Sequence, residues 1–222
     1  MDETARSGGL KGPSPRSILG ASLFEELLIL VADRGYERRD EPFALSSGGF
    51  SRDYVDLRRA VARGADLELA GRAVLEALDW ASVVFDAIGG MTMGADPVAH
   101  AVALLSGREW FSVRKLPKDH GRGQRIEGAT LGPGRAVVLF EDTVSTGSSV
   151  LGAYDAIVET GAEVVAACTL LDRGDTARER FAALGVSYIP ILNYKDLEIE
   201  PILPVAAGDE GATGTFPDEP PG

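Results

Sequence analysis

The sequence predicts an α/β fold: a doubly wound, mainly parallel sheet with a small N-terminal helix and hairpin subregion. Short apolar runs, each long enough for one buried strand, alternate with segments whose apolar residues recur at helical spacing. Polar, glycine-containing turns follow several of these runs, as at the carboxyl ends of strands in open parallel sheets. A single domain is expected over residues 17–205, between a polar tail at 1–16 and an acidic tail at 206–222, both expected to be disordered.

The composition argues against several classes of protein. The 222 residues are 45% hydrophobic and 25% charged, as in an ordinary globular domain. A net charge of −12 makes nucleic acid and anionic membranes poor partners. The single cysteine, Cys168, excludes an internal disulfide and a cysteine metal cluster. Because the sequence has neither a run of about 18 apolar residues nor a signal-peptide core, a cytoplasmic protein is expected.

The N-terminal part predicts helices on either side of a hairpin. Apolar residues recur at helical spacing over 18–34, where Ser17 would be the N-cap. Phe43–Leu45 and Tyr54–Leu57 predict two short strands that flank a Ser-Gly-rich turn. A second helix is predicted over 65–79, because its apolar residues form one face.

A glycine-rich turn stands between the next predicted strand and helix. Val83–Ile88 predicts a buried strand, and residues 89–94 predict the turn that follows it. Asp96, with a proline after it, predicts the N-cap of the next helix. Such a turn is an anion site in principle, although the same pattern also occurs only for packing.

A cluster of cations follows the short predicted strand Trp110–Val113. Residues 114–125 contain five lysines and arginines, two glycines and a proline, with no apolar periodicity. On charge alone, a solvated loop and an anion-binding segment both remain open. Hinge residues and little apolar burial are also what a lid over an active site needs.

Two acids and a hydroxyl-rich turn follow the strongest strand pattern in the chain. Ala136–Phe140 predicts a buried strand, and Glu141 and Asp142 stand where it would end. The turn over 143–149 offers backbone N–H groups and hydroxyls to an anion. Two carboxylates would repel a phosphate there unless they bind a sugar diol or a phosphate-bound Mg²⁺. The segment therefore predicts a sugar-phosphate site.

The remaining pattern predicts a helix over 148–160, a strand at Glu163–Leu171, a helix over 175–184 and a strand at Ser187–Leu192. Arg173 directly follows the first of these strands. Because parallel strands carry their carboxyl ends to one edge of a sheet, this arginine is expected beside the two acids. Bidentate binding of a planar carboxylate and a surface turn both remain open for it.

The segment at 136–149 resembles the signature of the type I phosphoribosyltransferases, an apolar run with two acids, two further residues and a Ser/Thr-Thr-Gly-x-Ser turn. Three more segments resemble the orotate phosphoribosyltransferases of that family: LSSGGFSRDYVDLR from residue 45, GGMTMGADPVA from residue 89 and RKLPKDHG from residue 114. Ser46 stands where that family commonly has lysine, and Gly49 and Asp53 replace a more usual arginine and tyrosine.

The resemblance implies a Mg²⁺-dependent pentosyltransferase of pyrimidine (UMP) biosynthesis. Such an enzyme transfers ribose 5-phosphate from phosphoribosyl pyrophosphate (PRPP) to orotate, which gives orotidine 5′-phosphate and pyrophosphate. It also implies a homodimer whose catalytic loop is shared between subunits. Two alternatives remain open: a phosphoribosyltransferase for another nucleobase, and a non-catalytic regulator that binds PRPP.

The resemblance further implies which residues bind the substrates. Ser145 and Arg173 would bind orotate. The residues expected to bind PRPP are Gly90, Thr92, Arg114, Lys115, Lys118, His120, Glu141, Asp142, Thr143, Val144, Ser145, Thr146, Gly147, Ser148 and Ser149.

The implied catalytic residues are Lys118, His120 and Asp142. Either Lys118 or His120 would give a proton to the leaving pyrophosphate, and the sequence does not choose between them. No protein residue is assigned as a direct metal ligand. The Mg²⁺ would be held through the substrate, with Glu141 and Asp142 nearby.

Overall fold

A six-stranded sheet organises the part of the chain that the structure, a computed structural model, describes: residues 20–45, 50–116 and 125–202. Several predicted features lie outside these ranges: the tails at 1–16 and 206–222, the N-cap Ser17, the turn residues Ser46 and Gly49, and the loop residues Lys118 and His120.

Helices and strands alternate through most of the described chain. The N-terminal elements are α1 (Ala21–Leu30), a π-helical turn (Val31–Gly35), β1 (Tyr36–Ala44), β2 (Phe50–Val55), α2 (Leu57–Ala60) and α3 (Gly64–Trp80). The sheet and its helices follow as β3 (Ala87–Met91), α4 (Asp96–Ser106), β4 (Glu109–Val113), β5 (Ile126–Gly128), β6 (Ala136–Val144), α5 (Ser148–Val158), β7 (Glu163–Asp172), α6 (Thr176–Ala183) and β8 (Ser187–Asn193). None of the helices in the described ranges is long and apolar enough to cross a membrane.

The strand order in the large sheet is β5-β4-β3-β6-β7-β8. All neighbouring strands are parallel except β4 and β5, which pair antiparallel. From β3 the chain adds β4 on one side and later β6, β7 and β8 on the other, so the winding reverses between β3 and β6. This arrangement confirms the predicted doubly wound α/β fold. Ligands of such sheets bind outside the carboxyl ends of the strands at the reversal.

Helices cover both faces of the sheet. Val138 and Phe140 of β6 belong to a buried apolar cluster that includes residues of α1, α3 and α4, whereas Val137 and Leu139 belong to a second cluster that includes residues of α5 and α6. All four side chains are fully buried. A strand that is covered on both faces needs such a continuous apolar run, which explains why the pattern of β6 was readable in the sequence.

Most predicted elements are confirmed to within two residues at each end: the helices over 65–79, 148–160 and 175–184, and the strands at Trp110–Val113, Glu163–Leu171 and Ser187–Leu192. The helix predicted over 18–34 is found as α1 followed by the π-helical turn. The predicted hairpin exists, but its first strand begins at Tyr36 and its second ends at Val55. Leu57 begins α2 instead, because the Asp56 side chain accepts a hydrogen bond from the Arg59 N–H and caps this helix.

The strand predicted at Val83–Ile88 is wrong in its bounds, because β3 runs over Ala87–Met91. Gly89 and Gly90 therefore lie in the strand rather than in a turn. A Cβ atom on Gly89 would lie 1.8 Å from the Phe111 carbonyl oxygen, and one on Gly90 would lie 1.7 Å from that of Phe140. These glycines permit close approach of the neighbouring strands, so they did not mark a turn.

Candidate active site

The carboxyl ends of β3, β4, β6 and β7 meet at one edge of the sheet. This edge brings together most of the predicted substrate-binding residues: Thr92 after β3, Arg114 and Lys115 after β4, Glu141, Asp142, Thr143 and Val144 in β6, Ser145, Thr146 and Gly147 after it, and Arg173 after β7. The crevice between β3 and β6 lies at the reversal of winding, where this fold class places its ligands.

Glu141 lies within β6 and is 6% exposed. The prediction that the acids follow the strand is wrong, because β6 continues to pair with β7 as far as Val144 and Asp172. The Met91 N–H donates a hydrogen bond to Glu141 Oε1 at 2.9 Å, which ties β6 to the end of β3. Burial raises the pKa of Glu141 to about 8, and the negative charges of the neighbouring acids add to this rise.

Asp142 is more accessible than Glu141 and faces the turn after β3. Its Oδ1 accepts a hydrogen bond from the Thr143 N–H at 2.8 Å. Burial raises the pKa of Asp142, whereas the Thr143 N–H and the charge of Arg58 lower it. A Cβ atom on Gly94 would lie 2.7 Å from Asp142 Oδ1, so only glycine fits at this position without a shift of the carboxylate. Gly94 was not among the residues predicted to contribute to the site, although it lies in the glycine-rich segment.

The turn after β6 leads directly into α5. Gly147 has a φ of +80° at the N-cap position, a conformation that glycine adopts without strain. Thr146 is buried, and its carbonyl oxygen accepts a hydrogen bond from the Thr176 hydroxyl at 3.4 Å. The first N–H groups of α5 therefore stand at the crevice, as an anion site requires. The predicted roles of the Ser148 and Ser149 hydroxyls stay predictions.

Asp96 holds the turn after β3 through its side chain, whereas it was predicted to be the N-cap of the next helix. The N-cap of α4 is Ala95, and the Asp96 side chain makes no capping bond. Its carboxylate instead accepts hydrogen bonds from the Thr92 hydroxyl at 2.6 Å and the Ser112 hydroxyl at 2.7 Å. The Thr92 N–H donates to the Val113 carbonyl at 2.9 Å. Both donors of Thr92 are therefore occupied, and its contact with PRPP, like that of buried Gly90, stays a prediction.

Arg114 and Lys115 form one end of the predicted lid. The Arg114 N–H donates to the Arg125 carbonyl at 2.8 Å, and Arg125 Nε donates back to the Arg114 carbonyl at 3.0 Å. Arg114 Nη1 also lies 3.5 Å from Glu127 Oε1. The charge of Lys115 lowers the pKa of Glu141, in opposition to burial. The stem of the cationic segment thus stands beside the buried acid.

Arg173 is only 3% exposed, which is unusual for an arginine. Its N–H donates to the Val144 carbonyl at 2.7 Å, and its carbonyl accepts from the Ile202 N–H at 2.6 Å. Nη1 donates to the Asp53 carbonyl at 2.7 Å. Nε and Nη2 are buried, and neither has a hydrogen-bond partner among the described residues. These two nitrogens form one edge of the guanidinium group, the edge that binds a carboxylate in a bidentate manner.

The acids at this edge do not form a closed metal cage. Among the described residues, no group of three or more histidine, cysteine, aspartate or glutamate side chains is arranged to hold a metal ion. Two adjacent carboxylates, Glu141 and Asp142, fit the mode in which Mg²⁺ keeps water or substrate oxygens as its other ligands.

The comparisons with known proteins agree with this geometry. No protein-family model matches the chain. The sequence is 44% identical over 156 residues to the orotate phosphoribosyltransferase of Corynebacterium glutamicum (strain R), across 69% of this chain and 83% of that protein. The chain belongs to the orotate phosphoribosyltransferase family.

Solved structures of the family have the same fold. The structure of Mycobacterium tuberculosis H37Rv orotate phosphoribosyltransferase in complex with Fe(III) dicitrate superposes with a TM-score of 0.68 and 39% identity, over 80% of this chain and 99% of that one. The same enzyme in complex with PRPP superposes with a TM-score of 0.65 and 34% identity, over 82% of this chain and 95% of that one.

Proposed function

We propose that this protein transfers ribose 5-phosphate from PRPP to orotate and releases pyrophosphate. The observation that carries the proposal is the free edge of Arg173, formed by Nε and Nη2 and buried at the same sheet edge as Glu141 and Asp142. A buried guanidinium edge without partners among the described residues is costly, and a planar carboxylate satisfies both nitrogens at once. Orotate carries such a carboxylate on its ring.

The crevice also contains the groups that would bind PRPP, the second substrate. The turn over 143–149 and the N-terminus of α5 would bind the 5-phosphate, and Ser145 would contact orotate beside Arg173. Glu141 and Asp142 would bind the ribose hydroxyls. With a pKa of about 8, Glu141 is largely protonated at neutral pH in the free protein. The site therefore carries less negative charge when a pyrophosphate group approaches, which reduces the repulsion expected from two acids.

The chemistry needs orientation and charge stabilisation more than a covalent intermediate. The ribose would pass through a transition state with oxocarbenium character while negative charge collects on the leaving pyrophosphate. Arg114 and Lys115 lie at the carboxyl end of β4, where they would neutralise that charge. Lys118 or His120 would donate the proton. Both lie outside the described residues, so their roles stay predictions.

A Mg²⁺ ion would be held through substrate oxygens, with Glu141 and Asp142 nearby. When bound, it supplies positive charge to the phosphate groups. The location of the protein in the cytoplasm stays a prediction.

A homodimer that shares its catalytic loop is proposed on the basis of an apolar surface. Leu104 and Leu105 on α4 are 84% and 42% exposed. The exposed ring of His100 packs edge-on against that of Trp110, which is 40% exposed, with the centroids 4.3 Å apart. Together these four residues form the α4 surface, and a groove toward Leu67 of α3 continues it. Contiguous apolar exposure of this kind is typical of protein interfaces.

Release of pyrophosphate from PRPP in the presence of different bases tests the proposed function. Orotate, uracil and adenine should each be supplied with PRPP and Mg²⁺. Release is expected with orotate alone, because uracil has the same ring without the carboxylate that Arg173 would bind. Release with adenine would indicate another nucleobase, and PRPP binding without release for any base would indicate a regulator.

A further inference from the structure

The free edge of Arg173 owes its orientation to the N-terminal hairpin. We propose that Asp53 of β2 is a positioning residue, which holds Arg173 so that Nε and Nη2 face the substrate carboxylate. The hairpin would thereby determine affinity for a planar anionic base. This inference rests on the proposed role of Arg173 in binding orotate.

The contact between the two residues fixes one corner of the guanidinium group. Arg173 Nη1 donates to the Asp53 carbonyl oxygen at 2.7 Å, and the two residues are 120 positions apart in the sequence. Nε and Nη2 have no such anchor in the described part of the chain. The position of the Asp53 carbonyl therefore decides in which direction the free edge points. Backbone contacts at Val144 and Ile202 fix only the main chain of Arg173.

Asp53 is itself held by hydrogen bonds with three neighbouring side chains. Its Oδ1 accepts hydrogen bonds from the Tyr36 hydroxyl and from Arg38 Nη1, each at 3.0 Å, and its N–H donates to the Ser51 hydroxyl at 3.0 Å. Tyr36 and Arg38 belong to β1, whose pairing with β2 becomes irregular after Arg38. The side-chain contacts thus hold the hairpin at the point where its ladder is interrupted.

Both Asp53 and Arg173 are buried, so each polar group of this pair needs a defined partner. The Asp53 side chain is 4% exposed, so its carboxylate needs the two donors that it has. Burial lowers the pKa of Arg173, and the negative charge of Asp53 raises it. Asp53 therefore favours the charged form of Arg173 in addition to its placement. The link to Arg173 is the main-chain carbonyl of Asp53, and the side chain of Asp53 acts on it only indirectly, by holding β2 against Tyr36 and Arg38 of β1.

Steady-state kinetics of Asp53 variants test the proposal. Asp53→Ala removes the acceptor for Tyr36 and Arg38, and should raise KM for orotate at least about tenfold while KM for PRPP changes less than about threefold. Asp53→Asn keeps an oxygen acceptor and should restore KM for orotate to within about threefold of the wild-type value. An equal rise for both substrates, or no rescue by asparagine, would overturn the positioning role.

A second pair of variants tests the positioning role of Asp53 if Asp53→Ala does not fold. Tyr36→Phe removes one donor to Asp53 and should raise KM for orotate about threefold, whereas Tyr54→Phe in the same hairpin should leave it unchanged. Equal values for the two variants would contradict the proposal. Arg173→Ala distinguishes failure of the proposed role of Arg173 in orotate binding from failure of the positioning role of Asp53. If it leaves KM for orotate unchanged, the proposed role of Arg173 fails; if it raises this KM while Asp53→Ala does not, only the positioning role fails.

Discussion

The Met91 N–H donates to the Glu141 carboxylate at 2.9 Å and so joins β3 to β6 at the point where the winding of the sheet reverses. This bond satisfies one oxygen of an acidic side chain that is buried at the crevice. Burial of a carboxylate costs folding free energy unless the group is protonated or paired. Burial of Glu141 is therefore expected to make the stability of the protein depend on pH.

Glu141→Gln is expected to stabilise the free protein at high pH. The pKa of Glu141 is about 8 in the folded protein against an ordinary value of 4.5, so the folded state binds more protons between these values. The stability contributed by this group is complete below pH 4.5 and is lost as the pH rises through about 8. The variant should therefore unfold like the wild type near pH 4, and should be more stable by up to about 5 kcal/mol near pH 9, the equivalent of the full pKa difference.

Chemical denaturation at both pH values, without Mg²⁺ or substrate, measures this difference. Glu163→Gln is the matched control, because that side chain is exposed at the start of β7. It should show no pH-dependent gain. A Glu141→Gln protein that is less stable than the wild type at high pH would contradict the buried, proton-binding state of this acid. The same variant should lose activity, because a neutral amide cannot take the ionised form in which Glu141 would bind the ribose hydroxyls.

Gly94→Ala is expected to weaken PRPP binding by displacing Asp142. The added Cβ would lie 2.7 Å from Asp142 Oδ1, and the carboxylate must rotate away from it. KM for PRPP should rise about tenfold, equivalent to about 1.4 kcal/mol. Gly152→Ala on α5 is the control, because a Cβ there meets nothing within 4 Å. Equal PRPP affinities in the two variants, measured by calorimetry, would argue against a binding role for Asp142.

Ser112→Ala is expected to loosen the turn after β3. Its hydroxyl donates to Asp96 at 2.7 Å, and Asp96 also holds the Thr92 hydroxyl. Loss of a hydrogen bond to a charged acceptor should cost about 1–3 kcal/mol of stability. KM for PRPP should rise more than KM for orotate. Ser106→Ala, which removes a bond to the Val102 carbonyl at the far end of α4, is the control and should change neither KM. Unaltered PRPP kinetics in Ser112→Ala would show that the turn does not contact PRPP.

Leu104→Glu is expected to dissociate the proposed homodimer. Leu104 is 84% exposed at the centre of the α4 surface, and a buried carboxylate at an interface is unfavourable. Sedimentation should show monomers for this variant and dimers for the wild type, with activity reduced if the catalytic loop is shared between subunits as proposed. Val84→Glu, at a site 77% exposed in the turn before β3, should remain dimeric. Dimeric Leu104→Glu would place the interface elsewhere.

The sheet and the turn after β6 were predictable because the sequence features that specify them are contiguous. The apolar run of β6, its two acids and the turn through Gly147 are contiguous, and each has a direct physical meaning in the sequence. The end of β6 was misplaced because pairing with β7 outlasts the apolar run. Gly89 and Gly90 were wrongly predicted to lie in a turn. The sequence does not distinguish a glycine that permits close approach of a neighbouring strand from a glycine that forms a turn.

The parts of the site that were missed depend on distant partners. Asp96 followed by proline predicts a helix cap, but the carboxylate binds Ser112 on a neighbouring strand, 16 positions away. Arg173 was identified, whereas its anchor at Asp53 and the further anchor of Asp53 at Tyr36 were not. No local pattern specifies such pairs, because they follow from how the hairpin packs against the end of β7.

Consumption of orotate in the presence of PRPP tests whether this protein is an orotate phosphoribosyltransferase. The absorbance of orotate should be followed after mixing the protein with PRPP and Mg²⁺, and the products should be quantified. Each orotate lost should yield one orotidine 5′-phosphate and one pyrophosphate, and no loss should occur without PRPP. Undiminished orotate in the presence of bound PRPP would contradict this activity.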